Sequence, residues 1–140
     1  MMNIKGLLYT EKKLRFKKGE VIFKNQEEGA EMYFVDSGRV KIVMSDGENE
    51  IILSRLDPGD FFGEMALITG NKRIVSAVAI TDCKLHTMDK KTFEDNLLND
   101  KRFMRKVVES QASRLEETGL HFKQHLRRFI RMAKTFNITG

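Results

Sequence analysis

The residues with the clearest chemical potential are a glycine, a glutamate and an arginine near the middle of the chain. Gly63-Glu64 opens a short apolar run that indicates the start of a helix, and Arg73 follows nine residues after Glu64, across the turn Gly70-Asn71. The start of a helix presents unpaired N–H groups and the positive end of the helix dipole, which suit an anion such as phosphate. Arginine adds a planar fork that matches a pair of phosphate oxygens. A glutamate would repel the same anion, so we expect Glu64 to accept from a neutral part of the ligand, such as a sugar hydroxyl.

Each of these residues alone has a simpler interpretation. A Gly-Glu pair before an apolar run is most often a loop-to-helix junction, and a lone arginine after a turn is most often a solvated surface charge. The three residues at this spacing are a more specific signal, and they predict a ligand that contains phosphate.

Other residues with catalytic potential do not combine into a recognisable site. Enzymes built on β-rolls commonly hold a metal with two or more histidines and a carboxylate, whereas only His86 of the three histidines lies in the β-rich half. His121 and His125 share a helix face without a third ligand nearby in the sequence, and we interpret them as surface residues. Cys83 is the single cysteine, so it cannot form an internal disulfide. The sequence therefore predicts a protein that is not an enzyme, with no catalytic residue, no metal and no cofactor.

The elements around these residues divide into a β-rich first part and a helical second part. Eight of the 10 glycines precede residue 71, and they separate short apolar runs in a pattern typical of an antiparallel roll or sandwich. After Asp89 the apolar residues recur every three or four positions, which predicts one helix over 90–99 and a longer one from Asp100, each capped by its aspartate. The predicted strands cover residues 20–23, 32–35, 40–44, 51–56, 74–80 and 84–88.

The segment 56–79 resembles the phosphate-binding cassette of the cyclic-nucleotide-binding domain family. This family includes bacterial cAMP-receptor-type regulators, regulatory subunits of protein kinase A and cyclic-nucleotide-gated channels. The resemblance covers about residues 14–115 and implies a mainly β fold, in which an antiparallel β-roll (a double-stranded β-helix of the jelly-roll type) is followed by C-terminal helices, one of them a long dimerisation helix. It rests on Phe62-Gly63-Glu64-Met65-Ala66-Leu67, Gly70, Arg73 and Ala79, and upstream on Gly19-Glu20-Val21-Ile22-Phe23, Tyr33-Phe34-Val35, Ser37-Gly38-Arg39-Val40, Gly47 and Pro58-Gly59-Asp60.

The resemblance also assigns roles to single residues. Glu64 matches the family's glutamate, which binds the ribose 2′-hydroxyl, and Arg73 matches the arginine that pairs with the cyclic phosphate. Main-chain N–H groups around Met65 and Ala66 would complete the phosphate site. The expected ligand-binding residues are Phe62, Gly63, Glu64, Met65, Ala66, Arg73, Ile74, Val75 and Thr118.

Two departures from the family pattern bear on the base. Many members follow the arginine with serine or threonine, whereas Ile74 and Val75 stand here; the lost hydroxyl removes about 0.5–1.5 kcal/mol of hydrogen bonding and favours adenine over guanine. Thr118 falls where the bacterial pattern has a threonine that meets the adenine amino group, and Gly119 falls where it has a serine that reaches across a dimer. The expected ligand is therefore cAMP rather than cGMP, and the expected function is that of a regulatory sensor in signal transduction.

The net charge of +5 is concentrated at the C-terminal end. Residues 1–117 hold 20 basic and 20 acidic side chains, whereas 118–140 hold five basic and no acidic ones. We therefore predict a sensor module over 1–118 and a basic amphipathic helical extension over 119–140. The extension leaves an alternative function open: binding of nucleic acid or an anionic surface, beside a degenerate or differently specific ligand site.

Length and apolar patterning predict how the module is organised. A chain of 140 residues is one domain's worth of sequence, and it leaves no room after the long helix for the winged helix-turn-helix of the bacterial regulators, so we expect no DNA-binding domain. Two adjoining apolar stripes over 100–118 predict a homodimer through this helix. Neither a membrane-spanning run nor a signal peptide is evident, which predicts a cytoplasmic protein.

Overall fold

Eight strands form two antiparallel sheets in the computed structural model, which describes residues 12–135. One sheet has the order β1-β8-β3-β6 and the other the order β2-β7-β4-β5, so all neighbours except β4 and β5 come from distant parts of the chain. This arrangement confirms the predicted antiparallel β-roll. The strands are β1 Lys13–Phe16, β2 Val21–Phe23, β3 Glu31–Ser37, β4 Val40–Ser45, β5 Glu50–Leu56, β6 Phe61–Phe62, β7 Ser76–Ala79 and β8 Cys83–Asp89.

Turn residues connect consecutive strands. Gly38 joins β3 of the first sheet to β4 of the second with φ of 86°, and Gly47 joins the paired strands β4 and β5 with φ of 99°. Glycine adopts both backbone conformations without steric cost. Asp46 closes the second turn, because its carboxylate accepts from the backbone N–H groups of Glu48 and Asn49 at 3.0 and 2.8 Å. Both turns were predicted from the sequence.

Strand β3 is buried on both of its faces, and this divides the core into two clusters. Tyr33 and Val35 point between the sheets, where ten buried residues pack together. Met32 and Phe34 point the other way, into a cluster shared with the helices. Because the helices cover the second face of this sheet, β3 carries a continuous apolar run rather than a polar-apolar alternation.

Three helices accompany the sheets: α1 Glu64–Thr69, α2 Lys90–Asn99 and α3 Lys101–Thr135. The predicted caps of the two longer helices are confirmed. The Asp89 carboxylate accepts from the Thr92 N–H at 2.8 Å, and the Asp100 carboxylate accepts from the N–H groups of Arg102 and Phe103 at 2.9 and 3.1 Å.

Helix α3 passes through Gly119 without a break, so the boundary predicted between residues 118 and 119 lies inside one helix of 35 residues. A glycine inside a helix costs about 1 kcal/mol relative to alanine but does not remove a hydrogen bond, as proline would. Of the two predicted stripes, one docks on the roll through the buried residues Phe103 and Val107, and the other is exposed. Among the described residues of α3, the large apolar side chains that are exposed are Met104, Val108, Leu115, Leu120, Phe122, Leu126 and Ile130. Although α3 is long, no described helix carries a stretch apolar enough to cross a bilayer.

Candidate functional site

A cavity of about 420 Å³ lies between the second sheet, helix α1 with the loop that follows it, and helix α3. Strands β4 and β5 contribute an aliphatic wall, which includes Ile42, Met44 and Leu53. The loop after α1 brings Arg73 to one end of the cavity, and α3 closes the opposite side. The cavity therefore combines the cationic side chains of Lys72, Arg73 and Arg114 with apolar walls, a composition that suits a small organic anion.

Two glycines allow the backbone to pass close to Arg73. Gly63 precedes α1 with φ of 85°, and a Cβ atom there would lie 3.0 Å from Nη1 of Arg73. A Cβ on Gly29 would lie 2.4 Å from the Cβ of Ala66 and 3.1 Å from the guanidinium carbon of Arg73. Larger residues would push the arginine or α1 out of place, which explains glycine at both positions.

Arg73 is held in one orientation by three contacts. Its Nη1 donates to the Gly63 carbonyl at 2.6 Å, its Nη2 donates to the Glu31 carbonyl at 2.5 Å, and its Cζ lies 4.1 Å from the centre of the Phe23 ring. The side chain is only 5% exposed, and this burial lowers the pKa of the guanidinium, which nonetheless stays protonated in proteins. Nε is buried and has no hydrogen-bond partner among the described residues. Arg73 thus lies against the start of α1, as a shared phosphate ligand requires, and its guanidinium keeps N–H groups for an anion.

Three stacked or tilted aromatic rings support this arginine. Tyr33 lies 5.2 Å from Phe62 and 6.0 Å from Phe23, measured between ring centres. Burial is the main cause that raises the pKa of Tyr33 to about 12, and the nearby Glu31 carboxylate adds to it. The neutral phenol is therefore part of the folded core.

The raised pKa of Tyr33 predicts an alkaline loss of stability. In the unfolded chain Tyr33 should ionise at the usual tyrosine pKa of about 10. The contribution of its neutral phenol to the free energy of unfolding is therefore fully present below pH 10 and is lost as pH rises through about 12. In a Tyr9→Phe variant Tyr33 is the one remaining tyrosine, and ultraviolet absorbance at pH 11 should show about a tenth of it as phenolate. Half-ionisation near pH 10 in the folded protein would contradict this prediction.

Glu64 faces helix α3 rather than the open cavity. Its side chain is 0% exposed, and its Oε1 accepts from Nε2 of Gln111 at 2.5 Å and from Nη1 of Arg114. Arg114 also donates from Nη2 to the Phe61 carbonyl at 2.6 Å. Oε2 is buried and has no partner in the described part of the chain. The carboxylate thus joins the start of α1 to α3 and keeps one oxygen unused.

Helix α3 turns one face toward the cavity. Five of its residues line the wall at spacings of three and four, so they lie on adjacent turns of the same face. These residues are Arg114, Glu117, Thr118, His121 and Phe122.

The structure brings eight of the nine sequence-predicted site residues to the cavity wall, and the ninth, Glu64, lies buried behind it. Sequence reasoning missed the partners of Glu64, Gln111 and Arg114. The sequence does contain a signal for these partners. Gln111 lies four residues after the buried Val107 and Arg114 three residues after Gln111, so all three share one face of α3. Among the described residues, no group of three histidine, cysteine, aspartate or glutamate side chains is placed to hold a metal ion.

The amino-acid sequence matches a known protein family and several of its members. Residues 13–100 match the sequence model of the family described as "Cyclic nucleotide-binding domain". The chain is 38% identical over 82 residues to a cAMP-dependent protein kinase regulatory subunit from Eremothecium gossypii, which covers 59% of this chain and 17% of the relative. It is 32% identical over 117 residues to the potassium/sodium hyperpolarization-activated cyclic nucleotide-gated channel 2 from Mus musculus, which covers 79% of this chain and 13% of the channel. The chain thus spans less than a fifth of either relative.

Among solved structures, the catabolite activator protein of Thermus thermophilus superposes with a TM-score of 0.71 at 28% identity. The match covers 81% of this chain and 54% of that protein. The similarity thus extends beyond the residues of the family model.

Proposed function

The chain belongs to the cyclic-nucleotide-binding domain family, and on this premise we propose that it is a non-catalytic cAMP sensor that signals through helix α3. The observation that carries the proposal is the placement of Arg73 against Gly63, at the start of α1, on the wall of the cavity. A cyclic phosphate at this point meets the guanidinium fork and the first N–H groups of α1, both of which favour an anion.

Glu64 supplies the sugar contact in this proposal. Its unused Oε2 is an acceptor buried without a described partner, and leaving such a group unpaired costs about 1–3 kcal/mol. Because Glu64 lies behind the cavity wall, a ribose 2′-hydroxyl reaches Oε2 only when α3 shifts, and its hydrogen bond then removes this penalty. Gln111 and Arg114 hold the other oxygen, Oε1, so the carboxylate stays oriented.

Adenine occupies the part of the cavity between the aliphatic wall and α3. Ile74 and Val75 line the cavity beside Arg73 and add no hydroxyl to it. Thr118 lies on the facing helix, where its hydroxyl accepts from the adenine amino group in the proposed complex. These contacts support cAMP over cGMP.

Signalling through α3 rests on the contact between Glu64 and the pair Gln111 and Arg114. A ligand shifts a conformational equilibrium only by its differential affinity for the two states. The sugar and α3 both bind the carboxylate of Glu64, so occupation of the cavity changes the contacts that position α3. The helix then carries this change away from the roll.

The exposed stripe of α3 is proposed to pair with the same helix of a second copy. Val108, Leu115 and Phe122 recur every seven residues and Met104 lies four residues before the first of them, a spacing that suits the seam of a two-stranded coiled coil. All four side chains are exposed, and a second copy would cover them. Sedimentation at tens of micromolar with cAMP present should show a dimer, and a monomer under these conditions would contradict this part of the proposal.

A competition experiment tests the ligand assignment. A fluorescent cAMP analogue bound to the protein should be displaced by cAMP at lower concentrations than by cGMP, and by 5′-AMP only weakly, because the open phosphate does not fit the same contacts. Equal or better displacement by cGMP would remove the adenine preference. Failure of both cyclic nucleotides to bind would remove the sensor function.

The basic end of α3 supports a second candidate function, electrostatic binding of nucleic acid. Lys123, Arg127, Arg128 and Lys134 are exposed on a helix that has no described acidic side chain in this stretch. Such binding should be modest and steeply dependent on salt. A gel shift at low salt that disappears when these four residues are replaced by alanine would favour this function, and no shift at low salt would end it.

A further inference from the structure

The wall that α3 contributes to the cavity carries a histidine to which the proposed function gives no role. His121 lines the cavity and is half-buried. Within residues 12–135 it has no hydrogen bond or ion pair with another described residue. Arg114, on the same helix face, is by contrast already bonded to Glu64. The imidazole of His121 is thus a polar group in the cavity wall without a described protein partner.

The position of His121 along α3 matches the far end of a purine nucleotide. The ion pair of Arg114 with Glu64 places the sugar end of the proposed ligand opposite Arg114. Helix α3 rises 1.5 Å per residue, so Thr118 lies about 6 Å and His121 about 10 Å further along the axis. Both residues line the same cavity, so the part of the ligand that extends beyond the sugar, the base, runs toward them.

The facing wall is mostly apolar. Among the residues of β4 and β5 that line the cavity, Ser54 alone has a hydrogen-bonding side chain, whereas Ile42, Met44 and Leu53 are aliphatic and would cover the faces of a ring. Adenine presents an amino donor at N6 beside an acceptor at N7, whereas guanine presents acceptors at both places. A neutral imidazole has one donor and one acceptor, and a threonine hydroxyl has both. Two such side chains on adjacent turns of α3 satisfy both groups of adenine.

On these grounds, and resting on the proposed function, we propose that His121 is a second base-recognition residue, which together with Thr118 hydrogen-bonds the N6–N7 edge of adenine. One hydrogen bond of this kind corresponds to about a threefold to tenfold change in affinity. His121 thereby contributes to the discrimination between adenine and guanine.

The test compares three ligands on the unmodified protein and on two variants of His121. The ligands are cAMP, its 7-deaza analogue, which lacks the N7 acceptor, and the cyclic purine riboside monophosphate, which lacks the 6-amino group. His121→Phe should bind cAMP about threefold to tenfold more weakly than the unmodified protein. One analogue lacks the group that His121 bonds, either N7 or the 6-amino group, and this analogue should bind His121→Phe and the unmodified protein equally. His121→Gln keeps a donor and an acceptor and should restore most of the affinity for cAMP.

A matched control is available about one turn away. Gln124 is exposed and does not line the cavity, so Gln124→Ala should leave all three affinities unchanged. If His121→Phe weakens all three ligands equally, or none of them, the assignment of His121 is overturned. If the unmodified protein binds no cyclic nucleotide, the proposed function itself fails and the role of His121 falls with it.

Discussion

Replacing Arg114 with methionine is expected to lower the free energy of unfolding by about 3 kcal/mol. The Glu64 side chain is 0% exposed and Arg114 is its ion-pair partner, so the variant leaves a carboxylate buried with only Gln111 as a described partner. Removing one member of a buried pair costs more than the pair itself contributes, because the remaining charge has lost both water and partner. Urea denaturation at one fixed protein concentration measures the effect, since a dimer would make stability depend on concentration.

Two further variants show whether the buried charge causes this loss. Arg105→Met removes an ion pair on the surface of α3, in which Nε of Arg105 lies 3.0 Å from Oε1 of Glu109 and the two side chains are 82% and 53% exposed. This variant should lower the free energy of unfolding by less than about 1 kcal/mol. The double variant Glu64→Gln, Arg114→Met removes the charge together with its partner and should recover much of the loss. The explanation fails if Arg114→Met is no more destabilising than Arg105→Met.

Replacing Arg73 with lysine is expected to weaken cAMP binding by about ten- to a hundredfold, the size of a hydrogen bond to a charged group. Lysine keeps the positive charge but has no planar fork, so it cannot hold two phosphate oxygens and contact Gly63 and Glu31 as the guanidinium does. Equilibrium binding of cAMP measures the loss. Urea denaturation of the same variant shows whether the cavity is still folded.

A surface arginine provides the matched control for Arg73. Arg39 pairs with Asp57 at 2.9 Å, but both side chains are more than half exposed, and neither lines the cavity. Arg39→Lys should leave the affinity for cAMP unchanged. Binding by Arg73→Lys within threefold of the unmodified protein would refute the phosphate contact.

Much of the fold follows from patterns that a sequence carries locally. Turns and helix caps each depend on residues within three positions of one another. The turns at Gly38 and Gly47 and the helix caps at Asp89 and Asp100 are all present in the structure. Strands β1 and β6 were not predicted. The two residues of β6 are too short to show alternation. The continuity of α3 was missed because Gly119 suggested a break, whereas a single glycine weakens a helix without removing its hydrogen bonds.

The site was predictable where its parts lie close in sequence and not where α3 completes it. Gly63 and Arg73 are ten positions apart, and the turn between them brings the guanidinium back to the Gly63 carbonyl. Arg114 lies 50 positions from Glu64, and the sequence predicted only that the helix around it carries two apolar stripes. Which partner it contacts depends on how α2 and α3 pack on the first sheet through Phe93 and Phe103, a tertiary relation that local patterns do not encode.

The central claim, that the cavity beside Arg73 binds cAMP, is tested most directly by thermal and urea unfolding of the whole chain over a range of cAMP concentrations. A ligand that binds the folded state alone should add about 1.4 kcal/mol of stability for each tenfold increase of free cAMP above its dissociation constant, and about 2.7 kcal/mol at a hundred times that constant. We predict this increase for cAMP and a smaller one for cGMP at the same concentration. A free energy of unfolding that neither nucleotide changes would contradict the account.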